Sequence, residues 1–238
     1  MHNGNLVPET VILVQDWFTA LFDPDLQQDV VNGLRALGFS PRLLPMRPAG
    51  KAAQTLGDMP SFRKMASALM KHLELAAQTG RPIVGMDPAF VMQLRQDYPT
   101  AGFHPPQVLL PQEFLAEAIR TKQVVLPKSS GQKVHVLSHC TETTGKPHAP
   151  DLWRQVFEGL DIAFEAAPAG CCGMAGLFGH QKRHQRISRK LFDMSWRSHV
   201  EDDIEVAATG FSCRCQSDRL SKRRIRYPLG IVADLVMP

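Results

Sequence analysis

Short aliphatic runs alternate along this chain with stretches whose apolar positions recur every three or four residues. Val11–Gln15 reads as a buried strand, after which Leu26, Val30, Leu34 and Leu37 fall at helical spacing and stop at Gly38. Phe39–Leu44 reads as a second strand. Phe62, Met65, Leu69, Leu73 and Ala76 then mark one face of a helix that ends at Gly80, and Pro82–Gly85 gives a third strand. Asp87-Pro88 opens a helix over Ala89–Asp97, because Asp caps a helix well and Pro is tolerated in its first turn. Strands alternating with helices predict a parallel sheet.

Residues 99–131 hold five prolines around one helix, Gln112–Thr121, and end in Lys128-Ser129-Ser130-Gly131, which reads as a structured connector. From Lys133 the first pattern returns. Strand Val134–Leu137, helix Leu152–Leu160, strand Ile162–Glu165, a long helix through Ile187, Leu191 and Met194, and strand Glu205–Ala208 follow in order. Val11–Trp17 lies over Val134–Cys140, Pro48-Ala49-Gly50 over Pro168-Ala169-Gly170, and Met86–Phe90 over Thr209–Cys213. Chance is the competing explanation for three short matches. Duplication is favoured because all three fall, in the same order, in strand-to-helix loops. The expectation is an α/β fold of two pseudo-repeated Rossmann-like lobes with parallel sheets, each three layers α/β/α. The boundaries fall at 1–98, 99–131 and 132–238.

Composition narrows the class. Apolar residues make up 44% and charged residues 21% of the 238, and mean hydropathy is -0.16, as in soluble globular proteins. The aliphatic runs fall far short of the roughly 20 residues that cross a bilayer, so no transmembrane segment is expected. Met1–Pro8 has none of the parts of a secretory signal, and the expected location is cytoplasmic, with the inner membrane reached only through a partner. Net charge is +4, yet Gln181–Lys190 carries five cations and no acid, and Arg214–Arg226 six cations against Asp218. The rest of the chain is acidic on balance. Such local basicity, with few interleaved aromatics, argues against a nucleic-acid partner.

The five cysteines all follow Lys133 and two are adjacent, which is no secreted disulfide framework. Cys140, Cys171-Cys172 and Cys213 each follow a strand where it hands over to a helix. In a parallel sheet those ends lie together, so three distant positions can converge on one pocket. Four soft thiolates suit an iron–sulfur cluster or zinc. Structural zinc sites bring paired knuckles on short hairpins, whereas roughly 30 and 40 residues separate these attachment points. An adjacent pair also fits a larger cluster better than one small ion. Gly170 and Gly173 flank the pair and can supply the turn it needs, and Arg214 beside Cys213 can stabilise a thiolate. Cys215 is a second-line candidate. The plainer reading, buried cysteines as small core side chains, suits a lone thiol better than four at equivalent loops.

These residues resemble the cysteine-rich CCG domain family, whose pattern is a Cys, a later Cys-Cys-Gly and a final Cys-x-x-Cys, here Cys140, Cys171-Cys172-Gly173 and Cys213. More closely, His139-Cys-Thr-Glu-Thr-Thr144, Gly170-Cys-Cys-Gly-Met174, Ala208-Thr-Gly-Phe-Ser-Cys-Arg214 and Val84-Gly-Met-Asp-Pro88 look like the C-terminal region of flavin- and iron–sulfur-containing oxidases of the bacterial D-2-hydroxyglutarate dehydrogenase type. The resemblance implies a 4Fe-4S-type cluster on Cys140, Cys171, Cys172 and Cys213, fed with electrons by an FAD-containing dehydrogenase domain that oxidises a 2-hydroxy acid, and discharged to an acceptor. FAD belongs to that partner, and this chain is not expected to be catalytic alone. Two departures stand out. Gln216 replaces the last Cys of the final motif, and the first copy has Trp17, Lys51, Ala52 and Phe90 where duplication places Cys140, Cys171, Cys172 and Cys213. Competing hypotheses are a structural domain whose thiols hold zinc or nothing, and a thiol oxidoreductase. His180 and His184, at i,i+4 on a charged segment, fit a solvated face better than ligation, and Lys182–Lys190 with Lys222–Arg226 fit either an acidic partner or a wet helix surface.

Overall fold

A computed structural model describes residues 9–121, 123, 124, 133–167, 169–201 and 205–236. The readings that fall on Met1–Pro8, Lys128–Gly131 and Pro168 lie outside the described residues. The first half runs β1 (Thr10–Val14), α1 (Trp17–Phe22), α2 (Pro24–Ala36), β2 (Ser40–Leu43), α3 (Lys51–Thr55), α4 (Met59–Ala77), β3 (Ile83–Gly85) and α5 (Pro88–Met92). A π turn over Gln93–Asp97 then leads into α6 (Tyr98–Thr100), and α7 (Pro111–Arg120) closes the half. The second half runs β4 (Lys133–Leu137), α8 (Cys140–Gly145), α9 (Ala149–Gly159) and β5 (Ala163–Ala166), then two 3-10 turns, Phe178–His180 and Lys182–His184. It ends with α10 (Gln185–Ser195), α11 (Arg197–Glu201), β6 (Glu205–Ala208), α12 (Phe211–Ser221) and α13 (Pro228–Val236).

Both sheets are parallel and three-stranded, ordered β2-β1-β3 and β5-β4-β6. Their registers coincide at one offset. Thr10 pairs with Ser40 and Lys133 with Ala163; Ile12 pairs with Ile83 and His135 with Val206, so every residue and its partner shift together by 123 positions. Single parallel bridges fall at equivalent strand positions, Val84 to Leu109 in one lobe and Ala207 to Arg226 in the other, although their partners stand 117 rather than 123 positions apart. The pseudo-repeat inferred from three loop matches is thus written into the strand pairing.

Alternation along β1 builds the layers. Val11 and Leu13 pack into one core with Leu26, Val30 and Leu34 of α2, while Ile12 and Val14 face a second core with Phe62, Leu69 and Leu73 of α4. In the second lobe Val134 and Val136 meet Trp153, Val156 and Phe157 of α9, and Leu137 meets Phe192 and Trp196. The core that holds Val11 and Leu13 also holds Val134, Val136 and Ala207, so it is common to both lobes. The lobes exchange helices across it. The last helix of the first lobe, α7, packs on α9, and the last helix of the second, α13, packs on α2.

Two sequence expectations change. The helix read as Ala89–Asp97 is α for five residues and then widens into the π turn, where buried Gln93 donates to the Ala49 carbonyl (3.2 Å). Ile187, Leu191 and Met194, whose spacing marked α10, lie on its outer face, and the side buried in the lobe carries Ser188 and Phe192.

Candidate functional site

Three strand ends of the second lobe deliver the thiols. β4 hands over to α8, whose first residue is Cys140 and whose cap is His139, the ring Nδ1 accepting from the Thr141 amide (3.2 Å). The loop after β5 carries Gly170-Cys171-Cys172-Gly173, and β6 hands over to α12 with Cys213 in its first turn. The structure brings Cys140, Cys171, Cys172 and Cys213 together. The Cys140 and Cys172 thiols lie close enough to Cys171 to shift its ionisation, and the Cys213 thiol close enough to Cys172 to shift that of Cys172. Cys172 and Cys213 are buried, and Cys140 and Cys171 partly so.

One thiol of the four is set apart electrostatically. Donation from Cys140 and Cys172, helped by the Gly173 amide at 3.3 Å, holds Cys171 far below the ordinary thiol range. Its neighbours move the other way. Contact with Cys171 and burial push Cys140 up, and contact with Cys171 and Cys213 together with burial pushes Cys172 up. One thiolate thus sits among thiols that hold their protons, and a soft cation would have to displace those protons on binding.

Gly173 makes the turn possible. Its φ is +84°, and a Cβ there would stand 2.2 Å from the Ser188 carbonyl oxygen of α10. Gly170 is less constrained: a Cβ there would stand 3.1 Å from the Ser195 hydroxyl, and its carbonyl accepts from Trp196 Nε1 (2.9 Å). The α10 helix thus holds the Cys-Cys loop at both ends. The Ser195 hydroxyl beside Gly170 is buried and has no hydrogen-bond partner among the described residues. In number and softness the four thiols would suit a multi-iron cluster, and the Gly173 amide is aimed at the Cys171 sulfur. Among the described residues no set of three or more His, Cys, Asp or Glu side chains is arranged to hold a metal ion.

The other sequence candidates fall outside this set. All the donors that Arg214 uses go elsewhere: Nε and Nη2 to Asp23 (3.1 and 2.5 Å), Nη1 to the Ala208 and Thr209 carbonyls (2.8 and 3.0 Å), with the guanidinium carbon 5.3 Å from the Tyr227 ring centre. Cys215 is partly buried, its thiol raised by burial, among Arg219, Asp218 and Asp23. Gln216 is fully buried, donating to Ser188 Oγ (2.7 Å) and accepting from Arg219 (3.2 Å). His180 and His184 belong to separate 3-10 turns, and His184 stacks on Phe178 at 4.1 Å. In the first lobe the positions equivalent to the thiols hold exposed Trp17, Lys51 paired with Asp97 (2.5 Å), Ala52 and buried Phe90.

Sequence reading missed the acidic groups around the thiols. Glu142 is completely buried; it accepts from Gln112, from Thr209 Oγ1 (2.5 Å) and from the His139 amide (3.3 Å), and burial raises it to about 7. Asp16 caps α1, and burial and repulsion from Asp87 raise it to about 6. Capping patterns signal Glu142, Asp16 and Asp87 locally, but not that they gather in one place.

No protein-family model matches the chain. Three curated relatives, all named D-2-hydroxyglutarate dehydrogenase, are 36% identical over 94% of the chain (Pseudomonas putida), 35% over 98% (Escherichia coli) and 34% over 96% (Pantoea ananatis). A solved aspartate racemase homologue from Pyrococcus horikoshii aligns with 96% of the chain and 97% of its own at 10% identity, with a TM-score of 0.35. The chain spans 22 to 23% of the length of the curated relatives. Over nearly its whole length, then, the chain is similar to one stretch of proteins named D-2-hydroxyglutarate dehydrogenase, a stretch that makes up less than a quarter of them.

Proposed function

We propose that this chain is the iron–sulfur electron-transfer domain of a flavin-linked 2-hydroxy acid dehydrogenase, with Cys140, Cys171, Cys172 and Cys213 as ligands of a 4Fe-4S-type cluster. The observation that carries the reading is the convergence of four thiols, drawn from three strand ends over some 70 residues of sequence, each near enough to the next to shift its ionisation. Similarity to D-2-hydroxyglutarate dehydrogenases supports the oxidoreductase setting. The CCG pattern of Cys140, Cys171-Cys172-Gly173 and Cys213 supports the choice of cluster over zinc.

A bound cluster would supply a one-electron centre between a flavin partner and an acceptor. The chain's own residues do the rest. Cys171 offers a ready thiolate, and Cys140, Cys172 and Cys213 can give up their protons to a metal. The Gly173 amide points a donor at the Cys171 sulfur, which favours the more reduced, more negative state. Cys172 and Cys213 are buried, while Cys140 and Cys171 keep an edge toward solvent or a partner. No side chain here is assigned to substrate, and the hydroxy acid would be handled by the flavin partner.

The test is anaerobic reconstitution of the 238-residue chain with iron and sulfide. Iron and acid-labile sulfide near four per chain, with an electron paramagnetic signal after dithionite reduction, are the expected result. Stoichiometric zinc without iron, or no metal at all, would overturn it in favour of a zinc-binding or metal-free interaction domain.

A further inference from the structure

The outer face of α10 joins an exposed aliphatic stripe to a dense set of exposed cations. Ile187, Leu191 and Met194 follow one another at i, i+4 and i+7 and are 50%, 36% and 74% exposed, and Leu177, on the loop packed against the same helix, is 54% exposed. Five cations surround this stripe: Lys182, Arg183, Arg186, Arg189 and Lys190 are all exposed. Among the described residues none of the five forms an ion pair, whereas Arg197 just past the end of the same helix pairs with Asp193 (2.6 Å). Five unpaired like charges within nine residues repel each other and cost stability. They do nothing for the fold, whose contacts to this helix run through Ser188, Phe192 and Trp196 on the other side.

An apolar centre ringed by unpaired cations is complementary to an apolar patch ringed by carboxylates. A nucleic-acid phosphate track does not need the aliphatic stripe, and a bilayer-seated helix ordinarily carries aromatic anchors, which this face lacks. Of the two basic segments, Arg214–Arg226 spends Arg214, Arg224 and Arg226 on Asp23, Asp25, Asp29 and Asp234, whereas the five cations of Lys182–Lys190 stay unpaired among the described residues, so an acidic protein is steered toward α10. The position is also informative. The α10 backbone touches Gly173 and its end binds the Gly170 carbonyl, so a partner on the outer face lies one helix diameter, about 10 Å, from the thiols.

We propose that the outer face of α10, centred on Ile187, Leu191 and Met194 and ringed by Lys182, Arg183, Arg186, Arg189 and Lys190, is the docking surface for an acidic redox carrier protein. The carrier's role as an electron acceptor rests on the iron–sulfur reading above; the docking itself does not.

The probe is a plant-type [2Fe–2S] ferredoxin, a strongly acidic carrier, with cationic cytochrome c as the charge control and vesicles of 70% phosphatidylcholine and 30% phosphatidylglycerol as the membrane control. Binding is read by anaerobic titration and by zero-length carbodiimide cross-linking, both of which work on the metal-free chain. The expected result is ferredoxin binding that weakens at least tenfold between 20 and 200 mM salt, with cross-links at Lys182 and Lys190. The charge reversal Arg186→Glu/Arg189→Glu/Lys190→Glu should weaken it at least tenfold. Ile187→Asn/Leu191→Asn should weaken it severalfold with the salt dependence retained. All five positions are exposed, and unchanged thermal midpoints would show that the variants fold. Ferredoxin binding indifferent to both variants, equal binding of cytochrome c, or vesicle binding in place of ferredoxin binding would overturn the proposal. A chain that binds ferredoxin but takes up no iron would keep the docking surface and refute the cluster. A chain that takes up iron but ignores ferredoxin would do the reverse.

Discussion

The carboxylate of Asp87, at the end of β3 in the first lobe, accepts a hydrogen bond from the backbone amide of Phe211, the first residue of α12 in the second lobe (2.9 Å). Its other oxygen caps its own helix, accepting from Ala89 (2.9 Å) and Phe90 (3.3 Å). One side chain thus terminates two helices that are equivalent by the pseudo-repeat, and the second of them carries Cys213. The strand ends of the two lobes therefore face each other, and the thiols lie where they meet.

Removing that carboxylate should loosen both helices at once. Asp87→Ala leaves three amides without acceptors and is expected to cost about 2–3 kcal/mol, against about 1 kcal/mol for an ordinary cap. Asp87→Asn keeps one acceptor oxygen and is expected to recover part of the loss. Urea midpoints followed by fluorescence of the buried Trp153 and Trp196 give both numbers. Equal stability of the alanine variant and the parent would show that the bridge is not made in solution.

The turn that presents the vicinal cysteines separates two glycines by mechanism. Gly173→Ala must strain a positive φ and displace backbone, so a loss of roughly 2 kcal/mol or more is expected, together with reduced iron uptake. Gly170→Ala meets only the movable Ser195 hydroxyl and should cost under about 1 kcal/mol. Thermal melts of the two variants side by side test the order, and the reverse order would contradict the geometry.

Stability should also respond to pH through Asp16. Burial first, and then repulsion from Asp87, raise its carboxyl from 3.8 to about 6, so the folded chain holds this proton more tightly than the unfolded chain does. The stabilising contribution is complete below pH 3.8 and is lost as pH rises through 6. Because Asp16 is partly exposed, the loss should be on the order of 2 kcal/mol rather than the full shift. Asp16→Asn cannot titrate. The difference in unfolding free energy between parent and variant, measured from pH 4 to 7, should therefore slope through that window, and a flat difference would refute the assignment.

How far the sequence could be read depends on whether a feature is local. The β4 and β6 ends at Cys140 and Cys213 were legible because a parallel sheet must gather its carboxyl ends, whatever else the chain does. Asp87 was legible as a cap but not as a bridge, since the bond to Phe211 joins residues 124 positions apart. Glu142 reads in the sequence as an ordinary first-turn acid; the groups that enclose it, Gln112 of α7 and Thr209 after β6, come from positions 30 and 67 residues away. The periodicity of Ile187, Leu191 and Met194 identified α10 correctly and its buried side incorrectly, because Ser188 and Phe192 are the buried residues of this helix and the stripe reaches the Cys-Cys loop only through the Leu191 Cβ beside Gly173. Helix α13 was not read, and its place against α2 follows from an exchange between lobes that no local pattern announces.

Arg214 illustrates a residue valued in sequence for charge and used in structure for position. Its guanidinium joins Asp23 of the first lobe to the Ala208 and Thr209 carbonyls that lead into α12, and lies over Tyr227. Arg214→Lys keeps the charge but not the fork, and breaking a buried pair of this kind costs about 3 kcal/mol. The expected phenotype is a destabilised chain that still takes up iron once folded. Iron uptake abolished at full stability would instead place the charge beside the thiols.

The final pair of positions on α12 tests which thiols count. Successive helical residues are turned by about 100°, so Cys213 and Gln216 share a face and Cys215 points away from it. Cys215→Ser should therefore leave iron content and stability nearly unchanged, whereas serine at Cys140, Cys171, Cys172 or Cys213 should each remove most of the iron. Gln216→Cys places a fifth thiol on the face of Cys213, but it also strips Ser188 and Arg219 of a buried partner, and about 1–2 kcal/mol of stability should go with it. Iron and sulfide analysis of this set after identical reconstitution decides the matter. Loss of iron in Cys215→Ser equal to that in Cys213→Ser would mean that the helix turns the other way in the loaded chain and that the ligand set has to be redrawn around Cys215.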